Sequence, residues 1–410
     1  MALDRDEIRD LVHLSLVPGL GSMLASRLLE RFGSPSAVLS LSPAQFQEVR
    51  GIGEVLADRI ARGVRKAGRK VRAELEQARR LGATIIARSD PAYPPLLREI
   101  PDPPMILYVR GRIDALGDDR FPVAIVGSRS CTAYGIEQAE RFAGVLARSG
   151  LTIVSGGARG IDSAAHRGAL RAGGRTIVVL GCGLGECYPP ENADLYDRIA
   201  GDGEECSGAV VSELPIATPP SSENFPARNR IISGLSLGVI VIEAGKRSGA
   251  LITARHAVEE QGREAMALPG RVDSPTSAGS LNLIKSGGAA LITEPGDVLA
   301  LLESPAWHLH GGTHEARFAA NLWSASPDGD GQVGNGGTPD AAIGREPSRS
   351  MPLTDAQSAI LAALSEPRTL DQLAAATGLP VSELRAEATM LELQRRVVRE
   401  GSRLVRARGS

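Results

Sequence analysis

Thr152-Ile153-Val154-Ser155-Gly156-Gly157-Ala158-Arg159-Gly160-Ile161-Asp162 holds a short apolar run, a turn with three glycines and the opening of a helix that continues from Ser163 to Leu170. β-branched residues favour the strand, and glycine permits the tight reversal. The first amides of the helix lack intrahelical partners and so point out of the turn. The unit recurs. Val123 to Val126 ends in Gly127-Ser128-Arg129, with Gly135 opening the next helix, and further apolar runs at 176–180, 210–212, 239–242, 265–268 and 289–292 alternate with amphipathic helical patterns to about Leu302. That rhythm predicts a parallel α/β sheet whose glycine-rich turns lie along its carboxyl edge, where such sheets bind anions.

The turns exclude two common guests. Ser155 stands where the first glycine of G-x-G-x-x-G belongs, and after Gly181-x-Gly183 the third glycine is replaced by Glu186. A nicotinamide site is therefore not expected, and no G-x-x-x-x-G-K-[ST] run is present to hold ATP. Phosphate itself fits, because Arg129 and Arg159 can each make bidentate contacts to it. Two more segments bring cations to strand ends: Phe225-Pro226-Ala227-Arg228-Asn229-Arg230-Ile231-Ile232-Ser233-Gly234, and Glu243-Ala244-Gly245-Lys246-Arg247-Ser248-Gly249-Ala250-Leu251-Ile252-Thr253-Ala254. Each alone is compatible with an exposed charged loop, the commoner fate of such residues. Together, at successive strand ends, they are expected to converge on one rim.

Upstream, residues 1–80 read as helices. Val17-Pro18-Gly19-Leu20-Gly21 returns as Val49-Arg50-Gly51-Ile52-Gly53, each before an Ala- and Leu/Ile-rich helix. The repeat resembles a tandem helix-hairpin-helix (SAM-like), in which Gly19, Gly21, Gly51 and Gly53 would let backbone amides approach a DNA phosphate; the alternative is a helical bundle with those glycines as caps. Residues 81–120 are Pro-rich and read as an ordered, irregular connector. Residues 325–350 carry six Gly and three Pro, so 306–350 is expected to be a flexible linker. From 351 to 410, three short helices at 354–364, 369–377 and 381–394 precede a hairpin with its turn at 400–402, the pattern of a winged helix. The outward face of the third helix is expected to carry Glu383, Glu387 and Glu392 beside Arg385, a poor surface for phosphate.

Composition narrows the function. Hydrophobic residues at 42% and charged residues at 23% describe a folded protein, and no apolar run approaches a membrane span. The charged opening, Met1 to Glu7, and four cysteines without a C-x-x-C (Cys131, Cys182, Cys187, Cys206) predict a cytoplasmic protein with reduced thiols. A net charge of −2 requires any nucleic acid to be held by local clusters, and 3% aromatics require a mostly polar grip. His308, His310 and His314 border the linker without the fixed second shell a zinc site needs, so no metal or other cofactor is expected.

Taken together, Gly127-Ser128-Arg129, Ser155 to Asp162 with Ala165-His166, Tyr188-Pro189-Pro190-Glu191-Asn192, Ser212-Glu213, Phe225-Pro226-x-Arg228-Asn229-Arg230-Ile231-Ile232-x-Gly234 and Ser248 to Ala254 resemble the DprA/Smf (DNA-processing protein A) family across most of 85–300. The resemblance implies an extended Rossmann-like domain over 81–305 that binds single-stranded DNA, forms a homodimer and delivers the RecA recombinase onto the strand during natural transformation. It carries the DNA pocket onto Ser128, Arg129, Gly157, Arg159, Arg228, Asn229, Arg230, Lys246, Arg247, Ser248 and Gly249, with no catalytic residue. Two alternatives stay open. Phosphoribohydrolase-like enzymes use the same architecture, with Glu243, Glu213 and Arg247 available as carboxylates and cation, although their Pro-Gly-Gly-x-Gly-Thr turn is missing. A regulator of duplex DNA would instead rely on the outer domains. Asp162 and His166, four apart on one helix, could pair as acid and base, but no nucleophile is anchored to them.

Overall fold

The computed structural model describes residues 5–201, 206–310, 354–364 and 366–380 and, between 384 and 406, residues 384, 387, 388, 391, 396–400 and 403–406. Nine strands form one sheet: β1 (Thr84–Ala87), β2 (Ile106–Gly111), β3 (Pro122–Val126), β4 (Thr152–Ser155), β5 (Thr176–Val179), β6 (Gly208–Ser212), β7 (Gly238–Val241), β8 (Glu264–Ala267) and β9 (Ala290–Leu291). Their spatial order is β1-β2-β6-β5-β4-β3-β7-β8-β9. From β3 the chain lays β4, β5 and β6 outward on one side, then returns to place β7, β8 and β9 on the other, all parallel. Ala124 of β3 thus faces Val154 of β4 on one flank and Val239 of β7 on the other. This α/β fold agrees with the expectation from the strand rhythm. Every residue of β3, β4, β5, β6 and β7 is buried, as strands covered by helices on both faces must be.

The segment read as an ordered but irregular connector is more regular than expected. Its prolines break the periodicity, yet Ile106–Gly111 runs antiparallel to β6 and carries Thr84–Ala87 on its outer edge. Tyr93, fully buried, donates its hydroxyl to the Pro104 carbonyl at 2.9 Å and fixes the bend between the two strands.

The N-terminal helices, among them Arg5–Ser15, Ser22–Phe32, Glu54–Ala67 and Val71–Arg80, do not form a core of their own. Val12, Leu14, Leu28, Ile60 and Val64 join one apolar cluster with Tyr108, Val178, Tyr196 and Val210 of the sheet and its helices. Polar pins cross the same boundary: Glu74 accepts from the Ile216 amide at 2.7 Å, and Arg88 donates to Ser26 at 2.9 Å. Gly19 and Gly51 take φ of +86° and +98°, which only glycine adopts without strain, while Gly21 and Gly53 cap the helices that follow.

The helix Pro295–His310 runs past the expected domain boundary at 305. Residues 311–350, most of the expected linker and His314 with it, lie outside the described residues.

A separate unit contains the helices Asp355–Ala363 and Leu370–Thr377 and the hairpin β10 (Val397–Glu400) with β11 (Arg403–Arg406). Thr354 with Gln357 and Thr369 with Gln372 form capping boxes that start the two helices. Of the expected third helix, Leu384, Glu387, Ala388 and Leu391 are described, and all are buried. Glu387 is thus not an outward charge: it accepts from the Gln357 side-chain amide at 2.8 Å, within the unit's core. Glu383, Arg385 and Glu392 lie outside the described residues.

Candidate nucleic-acid interface

Where the strand order reverses between β3 and β7, a cleft of about 810 Å³ opens at the carboxyl ends of the strands, the place where open parallel sheets take their ligands. Three turns build it. Ser128 donates its amide to the Glu243 carbonyl at 2.7 Å, and its own carbonyl accepts from the Ile161 amide at 3.3 Å, so the turns after β3, β4 and β7 are bolted together through the backbone. Gly160, with φ of +76°, lies so close to the Ser128 and Arg129 carbonyls that a Cβ would collide with both.

A buried polar layer supports the turns. Glu243 receives the Thr132 amide at 2.9 Å and hydroxyl at 3.2 Å on one oxygen, and the Thr276 hydroxyl on the other. Thr132 in turn caps the helix Ala133–Arg148. Asp162 accepts from the Ala158 amide at 3.3 Å; burial pushes its carboxyl above the usual range, against the pull of the Arg228 guanidinium. Arg228, also buried, donates to the Gly156 carbonyl at 2.8 Å and to that of Val179, and burial pulls its ordinary value down. His166 does not pair with Asp162. Thr176 spends its proton on the Ile153 carbonyl at 2.7 Å, so its oxygen accepts from Nδ1–H of His166 at 2.7 Å, which leaves Nε2 bare and buried. Desolvation holds this imidazole at about 3, hence neutral.

Among the residues expected to form the pocket, Ser128, Arg129, Arg228, Asn229, Arg247, Ser248 and Gly249 line the cleft. Arg129 and Arg247 are exposed, and Asn229 donates to the Gly249 carbonyl at 3.2 Å, tying two segments of the wall. Lys246 is exposed on the same turn as Arg247; among the described residues neither side chain has a hydrogen-bond or ion-pair partner. Three others stand apart. Gly157 is buried, its carbonyl held by Tyr196 at 2.7 Å and Asn192 at 2.8 Å. Arg159 turns to an exposed bidentate pair with Glu191. Arg230 points away from the cleft: it makes a bidentate pair with Glu213 at 2.8 and 2.7 Å and reaches Asp102 and Ser22, each at 3.1 Å.

Of the two rings beside these turns in sequence, Phe225 and Tyr134, the structure brings only Phe225 to the cleft, and it adds a partner that the motifs do not indicate. Phe225, half-buried on the cleft wall, sits beneath the Arg129 guanidinium at 5.2 Å and against Tyr188 at 5.3 Å, whereas Tyr134 is exposed outside the cleft. Tyr188 lies 37 residues from Phe225 by their numbers, and no local pattern in the sequence announces the pairing.

This sheet order, with interlocked glycine turns at the switch point, defines a Rossmann-like α/β protein. The family model described as DNA recombination-mediator protein A matches residues 84–303, more than half of the chain; a SAM-like helix-hairpin-helix tandem matches 11–66 and a DprA winged helix domain 344–402. The chain belongs to the DNA recombination-mediator protein A (DprA/Smf) family. It is 37% identical over 390 residues to the protein Smf of Synechocystis, covering 92% of this chain and 93% of that one. To the DNA processing protein DprA of Streptococcus pneumoniae it is 46% identical over 215 residues, 52% of this chain and 72% of that one. The X-ray structure of the pneumococcal protein superimposes with a TM-score of 0.60 at 37% identity, over 73% of this chain and 98% of that one. No helix among the described residues is long and apolar enough to cross a membrane.

Proposed function

We propose that the switch-point cleft binds single-stranded DNA through its sugar-phosphate backbone, without cutting it, and that the protein acts in the cytoplasm during natural transformation. The observation that carries this reading is the trio Arg129, Lys246 and Arg247, exposed around the glycine turns and beside the half-buried Phe225 ring. Cations with little base recognition suit a strand of any sequence, and one ring can stack a base. Among the other expected pocket residues, Ser128, Ser248 and Gly249 would offer polar atoms to the strand, while Gly157, Arg159, Arg228, Asn229 and Arg230 would shape and hold the wall.

A hydrolytic reading is disfavoured by how the carboxylates are used. Glu243 has both oxygens occupied, Glu213 is locked to Arg230, and Asp162 is buried beside Arg228. Incubation with adenosine monophosphate should release no adenine. The family's description as a recombination mediator supports a RecA-type recombinase as partner, and the resemblance supports a homodimer through the Rossmann-like domain.

The test is anisotropy of a labelled oligothymidine across a salt series. Replacing Arg129 and Arg247 by glutamate should weaken binding about 100-fold, roughly 2.7 kcal/mol, with the melting midpoint unchanged. Undiminished affinity in the double variant would refute the cleft.

A further inference from the structure

We infer that Glu191 sets how tightly the cleft holds its strand, by withholding the Arg159 guanidinium from the sugar-phosphate backbone. Arg159 follows Ala158, which lines the cleft, and precedes Gly160, whose backbone lies against the Arg129 carbonyl. The two arginines thus leave the rim from touching turns. Their side chains then differ in company: Arg129, Lys246 and Arg247 carry no ion pair among the described residues, whereas Arg159 presents Nε and Nη2 to the two oxygens of Glu191. Those oxygens take the edge of the guanidinium that a phosphate takes. An occupied fork cannot hold the strand as well.

Three features mark the pair as a control on binding and not as a prop. The carboxylate is built into place: the neighbouring Asn192, itself buried, donates to the Gly157 carbonyl at 2.8 Å and to Ser163 Oγ at 2.9 Å, which clamps the turn Pro190–Asn192 to the turn of Arg159. Asn192 therefore holds the loop without help from Glu191. The side chains of Arg159 and Glu191 are 55% and 50% exposed, and an ion pair so open to water adds little to stability. Finally, the loop touches both sides of the grip. Three residues before Glu191, Tyr188 packs on Phe225, and Phe225 lies beneath Arg129, so contacts run in a closed circuit from one arginine to the other. A fixed carboxylate at a rim for polyanions repels what the rim must bind, and its pairing with Arg159 leaves one cation in reserve. Such a grip lets go more readily.

That role rests on the cleft as the strand's seat, and the experiment keeps the two apart. Anisotropy of a labelled oligothymidine is followed across a salt series with the full-length protein, with Glu191→Gln, with Glu191→Gln plus Arg159→Ala, and with the double variant that has glutamate in place of Arg129 and Arg247. Glu191→Gln should bind about three- to ten-fold more tightly at low salt, and its salt slope should steepen by about 0.7, the share of one more phosphate on a single strand. Removing Arg159 from that variant should cancel the gain, to within about two-fold of the parent. Unchanged or weaker binding by Glu191→Gln overturns the inference. So does a gain that survives the loss of Arg159, because the carboxylate would then act by repulsion alone. Melting midpoints should match the parent's, since both groups are exposed; an early transition in Glu191→Gln would make the pair a structural prop and overturns the role as well. Loss of binding in the double-glutamate variant upholds the cleft whichever way Glu191 falls, and undiminished binding there refutes the cleft and this role with it.

Discussion

The cleft and the N-terminal basic face both expose arginines, but they assemble them in opposite ways. The cleft draws Arg129 and Arg247 from turns more than a hundred residues apart, and holds them over a buried layer of Glu243, Asp162 and Arg228. The face takes seven cations from 14 consecutive residues (59–72) and needs only a helix with its other side buried. A cation made useful by its neighbours is sensitive to the fold; one made useful by its position on a helix is not. Damage to the buried layer should therefore cost the cleft far more than the face.

The largest effect is expected at Arg230. Alanine there strands Glu213 and Asp102 in a largely buried setting, which costs about 3–5 kcal/mol and should show as an early melting transition. If Arg230 instead acted as a free DNA ligand, the variant would melt normally and bind weakly. Next comes acid. Folded His166 stays neutral down to about pH 3, whereas the unfolded chain takes up this proton near 6.5. The unfolded state is thus favoured as the pH drops through that window, by about 3 kcal/mol at pH 4. His166→Asn, which keeps a donor for Thr176, should lose less stability than the parent between pH 7 and pH 4 when melting is followed by circular dichroism.

Gly160→Ala forces a side chain into a φ of +76° and against two carbonyls, roughly 1–3 kcal/mol of strain, and should loosen the cleft, seen as weaker oligothymidine binding, while the basic face keeps its helix. The smallest effect sharpens the contrast. A Cβ on Gly249 meets nothing within 4 Å, so Gly249→Ala should change stability by less than about 0.5 kcal/mol; any loss of oligothymidine affinity would then report the strand's close approach to that backbone.

Much of this was legible in the chain. Apolar strands alternate with helices at intervals of 24–32 residues, several of them through glycine turns, and that order alone announces the parallel sheet and its anion-facing rim. Duplicated glycines at 19/21 and 51/53 likewise show the two hairpins. What escaped was set by partners far away in sequence. Arg230 reads as a phosphate ligand until Glu213 and Asp102, the latter 128 residues distant, are seen to occupy it. Arg159 is drawn aside by Glu191, and Glu387 is drawn inward by Gln357. β1 and β2, set apart by a proline-rich stretch, lack the alternation that marks a strand, and only the pairing of β1 with β2 and of β2 with β6 brings them into the sheet.

The cluster that merges Leu28, Ile60 and Val64 with Tyr108 and Val178 also bears on how the molecule can be dissected. Trimming the chain at residue 81 would uncover the greasy flank of the sheet and cut the anchor from Ser22 to Arg230, so such a truncate should be recovered as insoluble material. Genetic deletions of the first 80 residues would then report the collapse of the whole α/β body, and point substitutions on the exposed arginines are the cleaner way to ask what that segment does.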